Sequence, residues 1–328
     1  MQYNLNEICL LPSATPTTIS SRSQVNTRDF LDRLPIFVAP MTSVINETNY
    51  KEFLKYDVIP VLPRGRHVSD AYPSFIFNSY SLTEIEEGLK NKTFSNKDQI
   101  LIDVANGHML KIYDLAKQLR KEWPMITIMV GNIAHPDMYR ACVEAGVNYV
   151  RVGIGGGSAC TTSVQTGIHA SHVWLIEGIK RIRKDYVTYN PNVKLPAVIA
   201  DGGINTIDKA IKCLALGYDY VMMGYCFAKC KEACGITSQM EYSPVVTRTY
   251  YGMASEQGQI DISGGVKKNP EGTSTTIIVD TTLEEFTNQF EAALRSAMSY
   301  VGAINLHEFK NNTQWDIMSY EEFKSYYK

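Results

Sequence analysis

Eight short apolar runs, each ending in polar or glycine punctuation, constrain this 328-residue chain more than any other feature. They read "IFVAPM", "VIPVLP", "SFIFNS", "QILIDVA", "TIMVGN", "YVRVGI", "PAVIAD" and "YVMMG". Most are apolar at consecutive rather than alternate positions, as strands of a parallel sheet covered on both faces must be. Amphipathic segments of helical period lie between most of them, such as "HMLKIYDLAKQLRKEW", "HPDMYRACVEAG", "HVWLIEGIKRIRKDY" and "TIDKAIKCLALG". Eight β/α units over roughly 200 residues predict a TIM (β/α)8 barrel, an α/β fold whose chemistry sits at the C-terminal strand ends. A doubly wound open sheet is the alternative that this pattern leaves standing. No linker or low-complexity stretch interrupts the chain, so residues 1–328 are expected to form a single domain.

The polar stretch after the eighth run is different. Residues 235–280 are rich in Gly, Ser, Thr and Tyr with weak periodicity, and read as a long loop. Long loops inside compact domains are more often functional than idle. A helix, "TLEEFTNQFEAALRSAMSYVG", is then expected to close the chain.

Charge narrows the partners. Lys and Arg total 32 against 34 Asp and Glu, which argues against a nucleic-acid footprint or a membrane-surface patch. The longest apolar runs are strand-sized, so no membrane span is expected. The start, "MQYNLNEICLLPS", lacks the charged and apolar regions of a signal peptide. The seven cysteines are odd in number and scattered, which fits a reduced, cytoplasmic enzyme.

Three loops at the ends of the expected strands look chemical. After the sixth comes "GIGGGSACTT", residues 153–162, which combines anion-binding backbone with a nucleophile. After the seventh comes "ADGGI", with Asp201, Gly202 and Gly203; after the eighth comes "MMGYCFA", with Gly224 and Tyr225. The last two are similar to the phosphate site of TIM barrels, and Asp201 suits a ribose diol better than a phosphate. Cys160 can also be read as a small buried hydrophobe, and Thr161 and Thr162 as helix caps. Cys226, Cys230 and Cys234, spaced by four, are expected on one side of a helix as buried thiols rather than as a metal site. His169 and His172 read as a loop residue and a helix start.

These motifs resemble the IMP dehydrogenase/GMP reductase family over nearly the whole chain. "GIGGGSACTT" looks like the family's active-site cysteine loop, "ADGGI" its ribose and phosphate loop, and "YYGMAS" its second nucleotide loop. "NPEG" resembles the segment carrying a glutamate, "IDVANGH" the reductase form of the cofactor loop, and "SSRSQV" the reductase Ser-Arg pair. Residues 256–268 contain neither the arginine nor the tyrosine that would activate water in a dehydrogenase. The resemblance therefore implies the reductase reaction: NADPH-dependent reductive deamination of GMP to IMP and ammonia through a purine held covalently on Cys160. It implies Thr162 and Glu271 as the proton relay, and nucleotide contacts at Ser158, Asp201, Gly202, Gly203, Gly224, Tyr225, Gly252, Met253, Ala254 and Gly272. Cofactor contacts are implied at Ser21, Arg22, Arg64, Asp103, Val104, Ala105, Ile154, Gly155, Lys268 and Ser296. Carbonyls of Gly155, Gly157 and Cys160 are implied as K⁺ ligands, and a homotetramer as the assembly. A dehydrogenase lacking a regulatory domain, or a non-catalytic nucleotide-binding barrel, are the other readings. The chain departs from the family at "APMTSV", where Thr42 replaces a usual aspartate, and at "GGGS", "GYCF" and "KNPEG".

Overall fold

Each of the eight apolar runs forms a strand in the computed structural model, which describes residues 3–68, 75–239, 243–265 and 269–326. They are β1 (Ile36–Val38), β2 (Val61–Leu62), β3 (Phe77–Tyr80), β4 (Gln99–Asp103), β5 (Thr127–Ile133), β6 (Tyr149–Val152), β7 (Ala197–Asp201) and β8 (Tyr220–Met223). All neighbours pair in parallel, in sequence order from β2 to β8, and β1 pairs with β8 through Ile36–Val221 and Phe37–Met222. A parallel bridge between Phe37 and Ile59 joins β1 to the chain entering β2 and closes the ring. The fold is a TIM barrel, and the open-sheet alternative falls.

The continuous apolar runs now have a physical reason. Phe37, Leu101, Met129, Ile199 and Met222 point into the barrel, while their neighbours Ile100, Ile102, Ile128, Val130, Val198, Val221 and Met223 pack outward on the helices. Both faces are dry, so both parities must be apolar. The inside is filled by rings: Phe37 meets Phe77, Tyr149 and Tyr220 edge-on at centroid distances of 5.7, 5.7 and 5.2 Å. Such pairs contribute about 0.5–1.5 kcal/mol each beyond the area they bury.

The outer helices follow their periods. Helix Leu110–Glu122 buries Ile112, Tyr113, Leu115, Ala116 and Leu119. Helix Leu283–Val301 starts at a capping box, Thr282 with Glu285, and stops where Gly302 adopts φ 76°. It buries Phe286, Phe290, Leu294 and Met298 along one stripe.

Three expectations need correction. Residues 235–280 are not simply a loop, because Thr237–Gln239, Val246–Tyr251 and Ser274–Ile278 form an antiparallel sheet and Glu256–Ser263 a helix. Threonines and tyrosines, read as polar filler, are good strand residues when one face stays wet. Arg248 rivets this flap to the barrel by donating to the carbonyls of Ala228 and Cys230, both at 2.6 Å. Second, helix Leu283–Val301 does not end the fold: strand Gln314–Ile317 follows and pairs antiparallel with Ile8–Leu11, across some 300 residues. Third, Cys226, Cys230 and Cys234 do not share a helix, since Tyr225–Ala228 is only four residues long. Burial pushes the thiols of Cys226 and Cys234 up to about 12, far from thiolate formation at neutral pH. Among the described residues no group of three His, Cys, Asp or Glu is arranged to hold a metal ion. Nor is any described helix long and apolar enough to cross a membrane.

Candidate active site

Strand β6 delivers the chain to the cysteine loop, and the glycines there are dictated by crowding. Gly153 takes φ 129°, and a Cβ on it would collide with the Asp201 carbonyl oxygen. Gly203 takes φ 77°, and its Cβ would come within 2.9 Å of the Gly156 carbonyl oxygen. Only residues without side chains let the loops after β6 and β7 lie against each other.

The loop then turns into the short helix Thr162–Thr166, with Cys160 and Thr161 at its entrance. Thr161 occupies the capping position without a capping side-chain bond. Cys160 pairs as an antiparallel bridge with Gly272, and the Thr161 N–H donates to the Glu271 carbonyl at 3.1 Å. That pairing brings in a glutamate from more than a hundred residues away. The Cys160 thiol donates to Thr162 Oγ1 at 3.3 Å, and the Thr162 hydroxyl donates to Glu271 Oε2 at 3.0 Å. Every donor in this row points the same way, from sulfur towards carboxylate.

The row borders a cavity of about 220 Å³ at the C-terminal end of the barrel. Ser158, Asp201, Gly202, Gly203, Gly224, Tyr225, Gly252, Met253, Ala254, Glu271 and Gly272 all line it together with Cys160. A larger cavity of about 490 Å³ lies on the other side of the wall formed by Asp201, Gly202 and Gly203. It holds neither Cys160 nor Glu271, so the smaller cavity is the one with chemistry.

The other expected residues divide. Asp103 lines the cavity and Arg64 stands 3.4 Å from its carboxylate, with Val104 bonded to β5 alongside. Ile154 lines the larger cavity instead. The Gly155 carbonyl accepts from the Ser163 hydroxyl, and that of Gly157 from the Cys160 N–H, which leaves each a second lone pair. Ser21, Arg22 and Ser296 do not line the cavity. They lie where the turn Arg22–Gln24 packs on helix Leu283–Val301. Lys268 lies outside the described residues.

Sequence reasoning missed Arg151 and Asn132. Arg151 is nearly buried and forks between two acids: Nη1 donates to Asp103 at 2.7 Å, and Nη2 and Nε to Asp201 at 2.8 and 3.1 Å. Burial opposes its charge, but the two carboxylates outweigh that and raise its pKa above the usual arginine value. Asn132 donates to the same Asp201 oxygen at 2.7 Å, so Asp201 is held by three bonds through Oδ2. The available signal was an arginine inside an otherwise apolar barrel strand, "YVRV". His172, at the start of its helix, faces the Gly202 carbonyl at 2.7 Å, and burial lowers its pKa.

This arrangement presents a thiol, a proton path and an anchored aspartate around one cleft, and known proteins share its sequence. Residues 83–324 match the family model described as IMP dehydrogenase/GMP reductase domain. A GMP reductase of Streptococcus pyogenes serotype M5 is 28% identical over 324 residues, which covers 94% of this chain and 93% of the relative. An inosine-5'-monophosphate dehydrogenase of Streptococcus pyogenes is 34% identical over 232 residues, and one of Chlorobaculum parvum is 33% identical over 230. Those matches cover 68% and 66% of this chain, but the chain spans only 45% and 44% of the dehydrogenases' own lengths. With a family model covering most of a barrel that carries the cysteine loop at its expected strand end, the chain belongs to the IMP dehydrogenase/GMP reductase family.

Proposed function

We propose that this protein is a GMP reductase, converting GMP to IMP and ammonia with NADPH. The observation that carries the reading is the hydrogen-bonded row from Cys160 through Thr162 to Glu271. Its direction suits the first step, because the Cys160 proton passes to Thr162 as the Thr162 proton passes to Glu271, freeing a thiolate. The thiolate attacks C2 of the guanine ring. The protonated Glu271 then returns its proton through Thr162 to the exocyclic amine, which leaves as ammonia. A C2–S bond has replaced the C2–N bond, and the purine stays covalently on Cys160. A nicotinamide held at the cavity mouth would supply a hydride to C2, and Cys160 is the group that leaves, as thiolate, when the C2–S bond breaks.

In this reading the Gly202, Gly203 and Gly224 backbone takes the phosphate, while Asp201, pinned by Arg151 and Asn132, accepts from the ribose diol. Arg64 and Asp103 would hold the cofactor at the cavity mouth. Arg64 Nε makes no hydrogen bond but is ion-paired with Asp103 Oδ2 at 3.4 Å, so the two would meet the cofactor as a pair. The Gly155, Gly157 and Cys160 carbonyls would hold K⁺. Residues 1–328 are taken as one catalytic domain with 235–280 covering the site, in a cytoplasmic homotetramer.

The dehydrogenase reading lacks support in residues 256–268, which offer no arginine or tyrosine to activate water. The test is NADPH consumption with GMP, with ammonia measured alongside, run against IMP with NAD⁺. Stoichiometric ammonia from GMP is expected, and none of it from Cys160→Ala, which should still bind GMP. Oxidation of IMP to XMP without GMP turnover would refute the assignment.

A further inference from the structure

One carboxylate at the edge of the cleft gathers donors from separate parts of the chain. Asp261 stands on helix Glu256–Ser263, and its Oδ2 accepts from the Thr42 hydroxyl at 2.7 Å and the Tyr251 hydroxyl at 2.5 Å. Its Oδ1 accepts from Gln257 at 2.9 Å. Burial works against the charge, but these donors prevail and hold the carboxyl below its usual range. Thr42 follows β1 on the barrel, and Tyr251 ends the central strand of the flap. Thr42 is also the position at which the sequence departs from the family's usual aspartate.

The knot closes directly behind the cleft. The Thr42 N–H donates to Met253 Sδ at 3.3 Å, and Met253 lines the cavity. Ser255 caps the Asp261 helix, its Oγ accepting from the Gly258 N–H at 3.1 Å. Between them the Ala254 carbonyl accepts from the Glu271 N–H at 3.0 Å. Met253 and Ala254 thus lead into a helix that the Asp261–Thr42 bond ties to the barrel, beside the Ser43 hydroxyl bond to the Tyr251 carbonyl at 3.3 Å, and Ala254 in turn holds the Glu271 N–H.

We propose that Asp261 is a positioning residue, which through Thr42 and Tyr251 seats the Met253–Ala254 turn and Glu271 against the nucleotide. This rests on the reductase reading for what the turn contacts. Asp261→Asn keeps the shape but sets an amide against two hydroxyl donors. In the full chain it should raise the KM for GMP about tenfold, the usual cost of losing a charged hydrogen bond, and lower kcat several-fold. The KM for NADPH and the melting temperature should stay near wild type. Thr42→Val should act alike, and the double variant should be no worse than the poorer single, because both remove the same bond. Amide hydrogen exchange over residues 252–258 and 271–273 should quicken in both variants, whatever the substrate. Unchanged exchange together with an unchanged KM, or strictly additive losses, would overturn the proposal. If wild type neither binds nor turns over GMP, the reductase reading fails, and the exchange data still decide whether Asp261 seats the turn.

Discussion

Replacing Arg151 with methionine removes the guanidinium that bridges Asp103 and Asp201 while keeping most of the side-chain volume. The guanidinium contributes three donor bonds of 2.7, 2.8 and 3.1 Å, and all three side chains are at least four-fifths buried. Taking one partner from a buried ion cluster costs about 3–5 kcal/mol, because the remaining charges are left uncompensated. Unfolding entropy of about 2.1 cal/mol/K per residue gives about 0.7 kcal/mol/K over the chain, so the melting temperature should fall by about 4–7 °C. Asn132 still donates to Asp201 and Arg64 still faces Asp103, which favours the lower end. Calorimetry of wild type and variant at pH 7.5 measures the deficit. Arg151→Lys, which keeps the charge but loses the fork, should fall between them. A deficit in Arg151→Lys as large as that in Arg151→Met, or none in either, would refute the electrostatic account.

Glu271→Gln should slow ammonia release from GMP by about 10² to 10⁴, the range of general acid–base catalysis, and Thr162→Ala likewise. Hydride transfer between IMP and NADP⁺, followed by cofactor absorbance, should survive far better; equal collapse of both would mean that Glu271 holds the loop instead. Asp219 accepts from Arg183 and Lys310, both at 2.6 Å. Burial opposes its charge, yet Arg183 and Lys310 hold its carboxyl down to about 2. Asp219→Asn should therefore cost about 2–3 kcal/mol in urea titrations at pH 7, a deficit that shrinks as pH falls from about 4 towards 2; a constant deficit would point to packing. If the glycine-loop carbonyls ring a monovalent cation, turnover in K⁺ should exceed that in Na⁺ at equal ionic strength, whereas equal rates would remove support for that site.

The barrel was legible because a parallel sheet dry on both faces forces apolar residues at both parities, as in "QILID" and "TIMV", and a helix against it forces a 3.6 period. The cysteine loop was legible because its glycines announce a backbone with no room for side chains. The flap was harder: "TRTYY" and "STTII" are wet on one face, so their strand character is masked by polar residues. The pairing of Ile8–Leu11 with Gln314–Ile317 left no local mark, because register between distant four-residue strands is settled only by the surfaces beneath them.

What the sequence determined by itself was the list of chemical groups and the strand ends that carry them: Cys160 after β6, Asp201 after β7, Gly224 after β8. Local propensity and periodicity act over a few residues, so they can order elements along the chain but cannot choose partners across it. Only the tertiary structure decided that Glu271 reaches Thr162, through the Cys160–Gly272 bridge. It also decided that Arg151 would lie between Asp103 and Asp201, and that Asp261 would stand opposite Thr42. Each of these contacts joins residues far apart in the chain. Their charges and hydroxyls are costly to bury alone, and only the folded barrel supplies the partners that satisfy them.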